Sequence, residues 1–145
     1  MRIVLGSDER TPLTDALAAT LRAGGAEVEL VGPPAGESLA WPEVGRRVGE
    51  RVASGAADTG IVCCWTGTGV SIAANKVPGV RAALCGDGAT AAGARRWNDA
   101  NVLALSLRLV TEPLAAEIVD AWLTTGPDPD EAANIAAVEH PDAGR

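Results

Sequence analysis

At 145 residues, 47% hydrophobic and 21% charged, the chain has the size and apolar content of one domain with a single core. Its net charge of −7 argues against nucleic acid or an anionic membrane as partner, since both demand a dense Lys/Arg patch. No apolar run approaches the roughly 20 residues that span a bilayer, and Met1 to Gly6 reads as a strand rather than a leader, so a cytoplasmic protein is expected. Cys63, Cys64 and Cys85 make no disulfide framework. With His140 as the single histidine there is no zinc-ligand spacing, and a zinc site is not expected.

Ile3 to Leu5 reads as a short apolar strand ending at Gly6-Ser7-Asp8-Glu9-Arg10. Thr11 and Pro12 suit the N-cap and first position of a helix in which Leu13, Leu17 and Leu21 recur, and Gly24-Gly25 ends it. Residues 27–31 alternate as a second strand, and Gly32 to Gly36 form a loop. Trp41-Pro42 precedes a second helix, with Val44, Val48 and Val52 on one face and Ser54-Gly55 at its end. Ile61 to Cys64 is a third strand, apolar on both faces as a covered parallel strand should be. A short helix over Ile72 to Lys76 and a fourth strand over Val80 to Cys85 follow the glycine loop. Then come a helix over Asp87 to Arg96, a fifth strand over Asn101 to Leu105, and a long helix from Glu112 to Leu123. Gly126, Pro127 and Pro129 mark a turn before a terminal helix over Ala132 to Val138, and Pro141 to Arg145 reads as a frayed tail.

Strands alternating with helices predict right-handed βαβ units, hence an α/β fold. The expected architecture is a single three-layer Rossmann-like domain over residues 1–145. It has a five-stranded parallel sheet, a C-terminal helical arm at about 124–140 and a tail at 141–145. Ligands of such sheets bind beyond the carboxyl ends of the strands. Three segments can meet there: the loop after the first strand with Asp8 and Glu9, the stretch Cys64-Trp65-Thr66-Gly67, and the exit from the fourth strand.

The glycine loop Thr66-Gly67-Thr68-Gly69 departs from both phosphate-loop patterns. Val70-Ser71-Ile72 offers no third glycine, and no lysine stands at Walker spacing. Cys63 reads as core. Cys64, at a strand end before a run of N–H donors, has either a packing role or that of a reactive thiol. Cys85 reads as packing. Asp8 and Glu9 suit turn capping, hydroxyl binding or acid–base work alike.

Longer matches resolve these choices. They are Gly6-x-Asp8, Trp41-Pro42, Cys64-x-Thr66-Gly67-x-Gly69-x-Ser71-Ile72-Ala73-Ala74-Asn75-Lys76, Asn98-Asp99-x-Asn101-Val102-Leu103-Ala104, Arg108, and Val119 to Leu123. Over Ile3 to Val138 the sequence resembles the sugar-phosphate isomerases that include ribose-5-phosphate isomerase B and the two subunits of galactose-6-phosphate isomerase. The resemblance implies a metal-free homodimer or homotetramer with its active site between subunits. It makes Cys64 the base that moves a proton between two carbons through a cis-enediol, with Thr66 assisting. Backbone N–H groups from Gly67 through Thr68, Gly69 and Val70 to Ser71, with Asn98, would hold the enediolate oxygen. Asp8, Glu9, Trp97 and Arg108 complete the implied substrate site.

The departures from that family share a direction. Glu9 and Trp97 stand where histidines are usual, the latter credited with opening the sugar ring. Trp65 replaces a glycine, Trp41 a tyrosine. Residues 126–131 are acidic and lack the arginines that clamp phosphate. The expectation is therefore a cofactor-free aldose–ketose isomerase for a small polyhydroxy or hydroxycarbonyl compound, with altered phosphate binding. The alternatives are ribose-5-phosphate isomerase activity with a relocated phosphate site, and a ligand-binding paralogue without catalysis.

Overall fold

A computed structural model of the chain describes residues 1–142. Of the tail expected at 141–145, the last three residues lie outside the described residues. The strands are β1 (Arg2–Ser7), β2 (Glu27–Val31), β3 (Thr59–Cys64), β4 (Ala82–Leu84) and β5 (Val102–Ser106). The helices are α1 (Pro12–Ala23), α2 (Trp41–Ala53), α3 (Thr68–Asn75), α4 (Gly88–Asn98), α5 (Glu112–Thr124) and α6 (Ala132–Glu139). All strands are parallel, in the order β2-β1-β3-β5-β4, giving the expected Rossmann-like sheet. No helix among the described residues is long and apolar enough to cross a membrane.

Two elements differ from expectation. The helix read as starting at Ile72 already begins at Thr68, because Gly67 makes the turn that a capping side chain would otherwise make. The strand read over Val80 to Cys85 shrinks to Ala82–Leu84. The Val80 N–H turns back to the Val77 carbonyl, and the Arg81 N–H is taken by the Asn101 side chain at 2.8 Å. β4 is also an edge strand. There the Asn75 side chain donates to the Ala82 carbonyl at 2.9 Å and accepts from the Ala82 N–H at 2.7 Å, sealing that part of the edge.

The two sheet faces differ in thickness. Ile3, Leu5, Ile61, Cys63, Leu103 and Leu105 point into the layer under α1, α4 and α5, closed by Trp122 at 2% exposure. The Trp122 indole donates to Thr59 Oγ1 at 3.0 Å, and that hydroxyl donates to the Asn101 carbonyl at 3.0 Å, so both of these donors are used. The alternate residues, Val4, Val62, Cys64, Val102 and Ala104, are smaller and face α2 and α3. α2 and α3 also touch each other closely: a Cβ on Gly45 would lie 2.6 Å from the Ala73 Cβ and 2.8 Å from the Val70 carbonyl oxygen.

That contact yields a test. Gly45→Ala gains helix propensity of about 1 kcal/mol. It also sets a methyl against backbone that no rotamer change can move, at about 1–3 kcal/mol. The expected net result is a lower urea midpoint with an unchanged slope, and a displaced α3.

Candidate active site

The chain leaves β1 towards β2 on one side and returns to β3 on the other, so the sheet switches direction between β1 and β3. A crevice opens above the carboxyl ends of such neighbours. Ser7 is in register with Cys63, so the next residues in line across the crevice are Asp8 and Cys64.

Strand alternation separates the two adjacent cysteines. Cys63 points into the thick layer at 0% exposure, and burial, with the nearby Cys64 and Asp8, pushes its thiol up to about 12. Cys64 points the other way, into the layer of α2 and α3, and reaches 5% exposure at the strand's end. Cys85 packs in the thick layer, where burial and then Asp87 push it up to about 11.

The segment after Cys64 is clamped by β5. The Cys64 carbonyl accepts from Leu107 N–H at 2.9 Å, and the Trp65 carbonyl accepts from Ser106 Oγ at 2.9 Å and Arg108 N–H at 3.1 Å. Gly67 then turns with φ of 75°, and a Cβ there would stand 2.9 Å from the Leu105 carbonyl oxygen and 2.6 Å from Leu84 Cδ1. Glycine is required on both counts.

α3 starts at once, with no side-chain cap. By helix geometry the N–H groups of Thr68, Gly69 and Val70 have no partner within it, and they carry the positive end of the helix dipole. The Ser71 N–H is already bonded to the Gly67 carbonyl at 3.3 Å, so of the expected donor run Ser71 can add only its hydroxyl. Thr66 and Thr68 share a hydroxyl–hydroxyl bond of 2.8 Å. The Trp41 ring covers the helix start, since a Cβ on Gly69 would come within 2.9 Å of it.

Asp8 is held from both sides. The Ser7 hydroxyl donates to the Glu9 carbonyl at 2.6 Å and accepts from the Glu9 N–H at 3.2 Å, which fixes the turn. The loop after β2 presses on the same turn: a Cβ on Gly32 would lie 2.3 Å from the Ser7 carbonyl oxygen. The Asp8 Oδ1 atom is buried without a hydrogen-bond partner. Burial, then the charge of Glu9, raises the Asp8 carboxyl above the usual range, against the pull of its own N–H. Glu9 itself is exposed.

Of the other expected site residues, Arg108 is exposed just beyond β5 on this same rim. Trp97 and Asn98 are not there. They end α4, which runs back from the carboxyl end of β4 to the amino end of β5, where Asp99 and Asn101 bind Arg81. Within one chain, therefore, Trp97 and Asn98 face away from the crevice. Sequence reasoning missed Ser7, Ser106 and Leu84, the residues that fix Asp8, Trp65 and Gly67. Ser7 and Ser106 were visible only as polar residues at apolar strand ends. Among the described residues no group of three or more His, Cys, Asp or Glu side chains converges as a metal site needs.

Native alkylation at pH 8 is expected to spare Cys63 and Cys85, which should react only after unfolding; peptide mass mapping reads this. Asp8→Asn is expected to raise the melting temperature at neutral pH. With the folded Asp8 above its unfolded value, the folded state binds more protons between the two values, and stability falls as pH rises through the folded one. The gain should therefore vanish in acid, below the unfolded value.

Comparison with known proteins identifies the family. The family described as ribose/galactose isomerase matches residues 3–138. Ribose-5-phosphate isomerase B of Escherichia coli is 46% identical over 68% of this chain and 66% of its own length. D-Erythrulose-4-phosphate isomerase of Pectobacterium atrosepticum is 43% identical over 62% of this chain and 59% of its own. The chain thus matches just under two thirds of the length of these curated relatives. The solved structure of Clostridium thermocellum ribose-5-phosphate isomerase B superposes with a TM-score of 0.91 at 42% identity, over 98% of this chain and 97% of that one. The chain belongs to the ribose/galactose isomerase family of sugar-phosphate isomerases.

Proposed function

We propose that the chain is a cofactor-free aldose–ketose isomerase in which Cys64 carries a proton between adjacent substrate carbons. The observation that carries this reading is the junction of β3 and α3. The one cysteine aimed into the thinner layer at the strand's end is followed directly by a helix start with unspent N–H donors. The Cys64 thiolate takes the proton next to the substrate carbonyl, and the electron pair moves into a carbon–carbon double bond. Charge then builds on the carbonyl oxygen, where Thr68, Gly69 and Val70 N–H groups and the helix dipole stabilise it. One such donor is typically worth about 10²–10³-fold in rate. Return of the thiol proton to the neighbouring carbon completes the isomerisation. Thr66, tied to Thr68, orients the oxygen being charged.

The substrate is a small polyhydroxy or hydroxycarbonyl compound, bound without the family's arm clamp. In the segment before α6, Asp128 caps Asp130 N–H at 3.0 Å and Glu131 accepts from Asn134 at 2.8 Å, and no arginine stands there to meet a phosphate. Carboxylates in that place would repel the dianion. One observation favours the second reading, ribose-5-phosphate isomerase activity with a relocated phosphate site. Arg10 is paired with Asp15 at 2.9 Å and Arg95 with Asp99 at 3.0 Å, whereas Arg96 and Arg108 form no ion pair with another described residue, and Arg96 lies near the end of α4 away from the rim. Arg108 is therefore the cation on the rim available to a phosphate.

A homodimer, or a tetramer built from it, completes the site in this reading. Trp65 (60% exposed), Leu84 (41%), Trp97 (54%) and Leu109 (67%) leave large apolar side chains uncovered along the β3–β5–β4 side. A groove of about 490 Å³ between β4, α4 and α6 and one of about 570 Å³ between β4 and α4 flank Trp97. A second copy seated there buries these side chains and brings its Trp97 and Asn98 towards the first chain's Cys64.

Cys64→Ala is expected to lower solvent-deuterium incorporation next to the carbonyl by about 10²–10⁴-fold. Unchanged exchange would exclude Cys64 as the base. Arg108→Ala is expected to raise KM for phosphorylated substrates and leave that for unphosphorylated ones alone if it binds the phosphate. Light scattering of the unaltered protein should give at least twice the chain mass.

A further inference from the structure

Isomerisation moves two kinds of proton, and Cys64 accounts for one. Besides the carbon-bound proton, a hydroxyl proton must leave the oxygen that becomes the new carbonyl, and the old carbonyl oxygen must gain one. The rim offers few groups for this. Thr66 and Thr68 hydroxyls are bonded to each other, and hydroxyls ionise too reluctantly to be left short of a proton. Arg108 stays charged. Trp97 has no acid–base group and, in this chain, lies at the other end of the sheet. Glu9 is exposed to solvent.

From the position of Asp8, which like Cys64 follows the last register pair Ser7–Cys63 at the β1–β3 crevice, and from its buried oxygen without a partner, we infer that Asp8 is the acid–base group that moves the oxygen-bound protons. This rests on the isomerase reading of Cys64. Leaving a buried acceptor unmet costs about 1–3 kcal/mol, so an idle Oδ1 held in a turn fixed by Ser7 and Gly32 is unexplained by the fold alone. The Asp8 side chain is only half-buried, so its other carboxyl oxygen is the one a substrate hydroxyl in the crevice can meet. The raised Asp8 carboxyl fits a group that must hold a proton for part of the cycle.

The step balances. Starting from an aldose, the Cys64 thiolate removes the proton from C2 while the protonated Asp8 carboxyl gives its proton to the carbonyl oxygen on C1, leaving a neutral cis-enediol. The Asp8 carboxylate then takes the proton of the C2 hydroxyl. The C2 carbonyl forms, and the double-bond electrons take the Cys64 thiol proton at C1. Both groups end as they began, and no co-reactant is consumed.

The test is made in deuterium oxide with D-ribose 5-phosphate, D-erythrulose 4-phosphate and the unphosphorylated sugars D-ribose and D-erythrulose as probes, comparing deuterium in recovered substrate with product formed. In Asp8→Asn, Cys64 still removes and returns the carbon proton, but conversion stalls. The ratio of exchange to product should therefore rise at least tenfold, and likewise in Asp8→Ala, which guards against one variant folding poorly. If Asp8 only holds a hydroxyl, exchange and product fall by the same factor, and an unchanged ratio in both variants overturns the inference while leaving the role of Cys64 standing. Absence of Cys64-dependent exchange of every probe, phosphorylated and unphosphorylated, by the unaltered protein overturns the isomerase reading, and this inference with it.

Discussion

Gly67 has no room for a side chain. Its left-handed turn is wedged against the Leu105 backbone and the Leu84 side chain, and it lets α3 begin immediately after β3 instead of after a longer loop. The helix start is thereby set a few residues beyond Cys64 and aimed across the carboxyl end of the sheet. The clamp from β5 onto the Cys64 and Trp65 carbonyls holds the turn from the other side. Thiol and donors are then positioned by covalent chain and hydrogen bonds rather than by flexible loop, which is what a site stabilising transient charge requires.

The thin face of the sheet serves the same end. Because β1, β3 and β5 present valine, alanine and glycine to α2 and α3, both helices sit low, and Gly45 lets them touch. α3 is thus braced along its length by α2, and Trp41 at the start of α2 closes over its first turn. The opposite face carries the bulky core and the Trp122–Thr59–Asn101 relay, so the stability of the domain and the geometry of its crevice are borne by different layers.

Much of this was legible in the residues. The third strand, the core reading of Cys63 and the glycine loop followed from short-range pattern, and the parallel sheet followed from the order of elements. The start of α3 was not, because Thr68-Gly69-Val70 has no capping side chain and reads as loop until the Gly67 turn is seen. The fourth strand was overestimated because Val80-Arg81 looks extended, whereas Asn101, distant in sequence, claims the Arg81 N–H. The family resemblance grouped Trp97 and Asn98 with the site, but sequence proximity to β5 could not say that α4 delivers them to its amino end. Nor could sequence show that Asp8 keeps an unmet oxygen, which depends on what fails to reach it.

The Asn75 amide on the outer edge of β4 bears on how copies of this chain can meet. An open parallel edge invites another strand, which would extend the sheet without limit. Here an incoming backbone must first displace a side chain that already satisfies both Ala82 groups, so strand addition starts at a loss. Any association on this flank would then have to rest on side-chain packing, as in the grooves beside Trp97, rather than on strand addition.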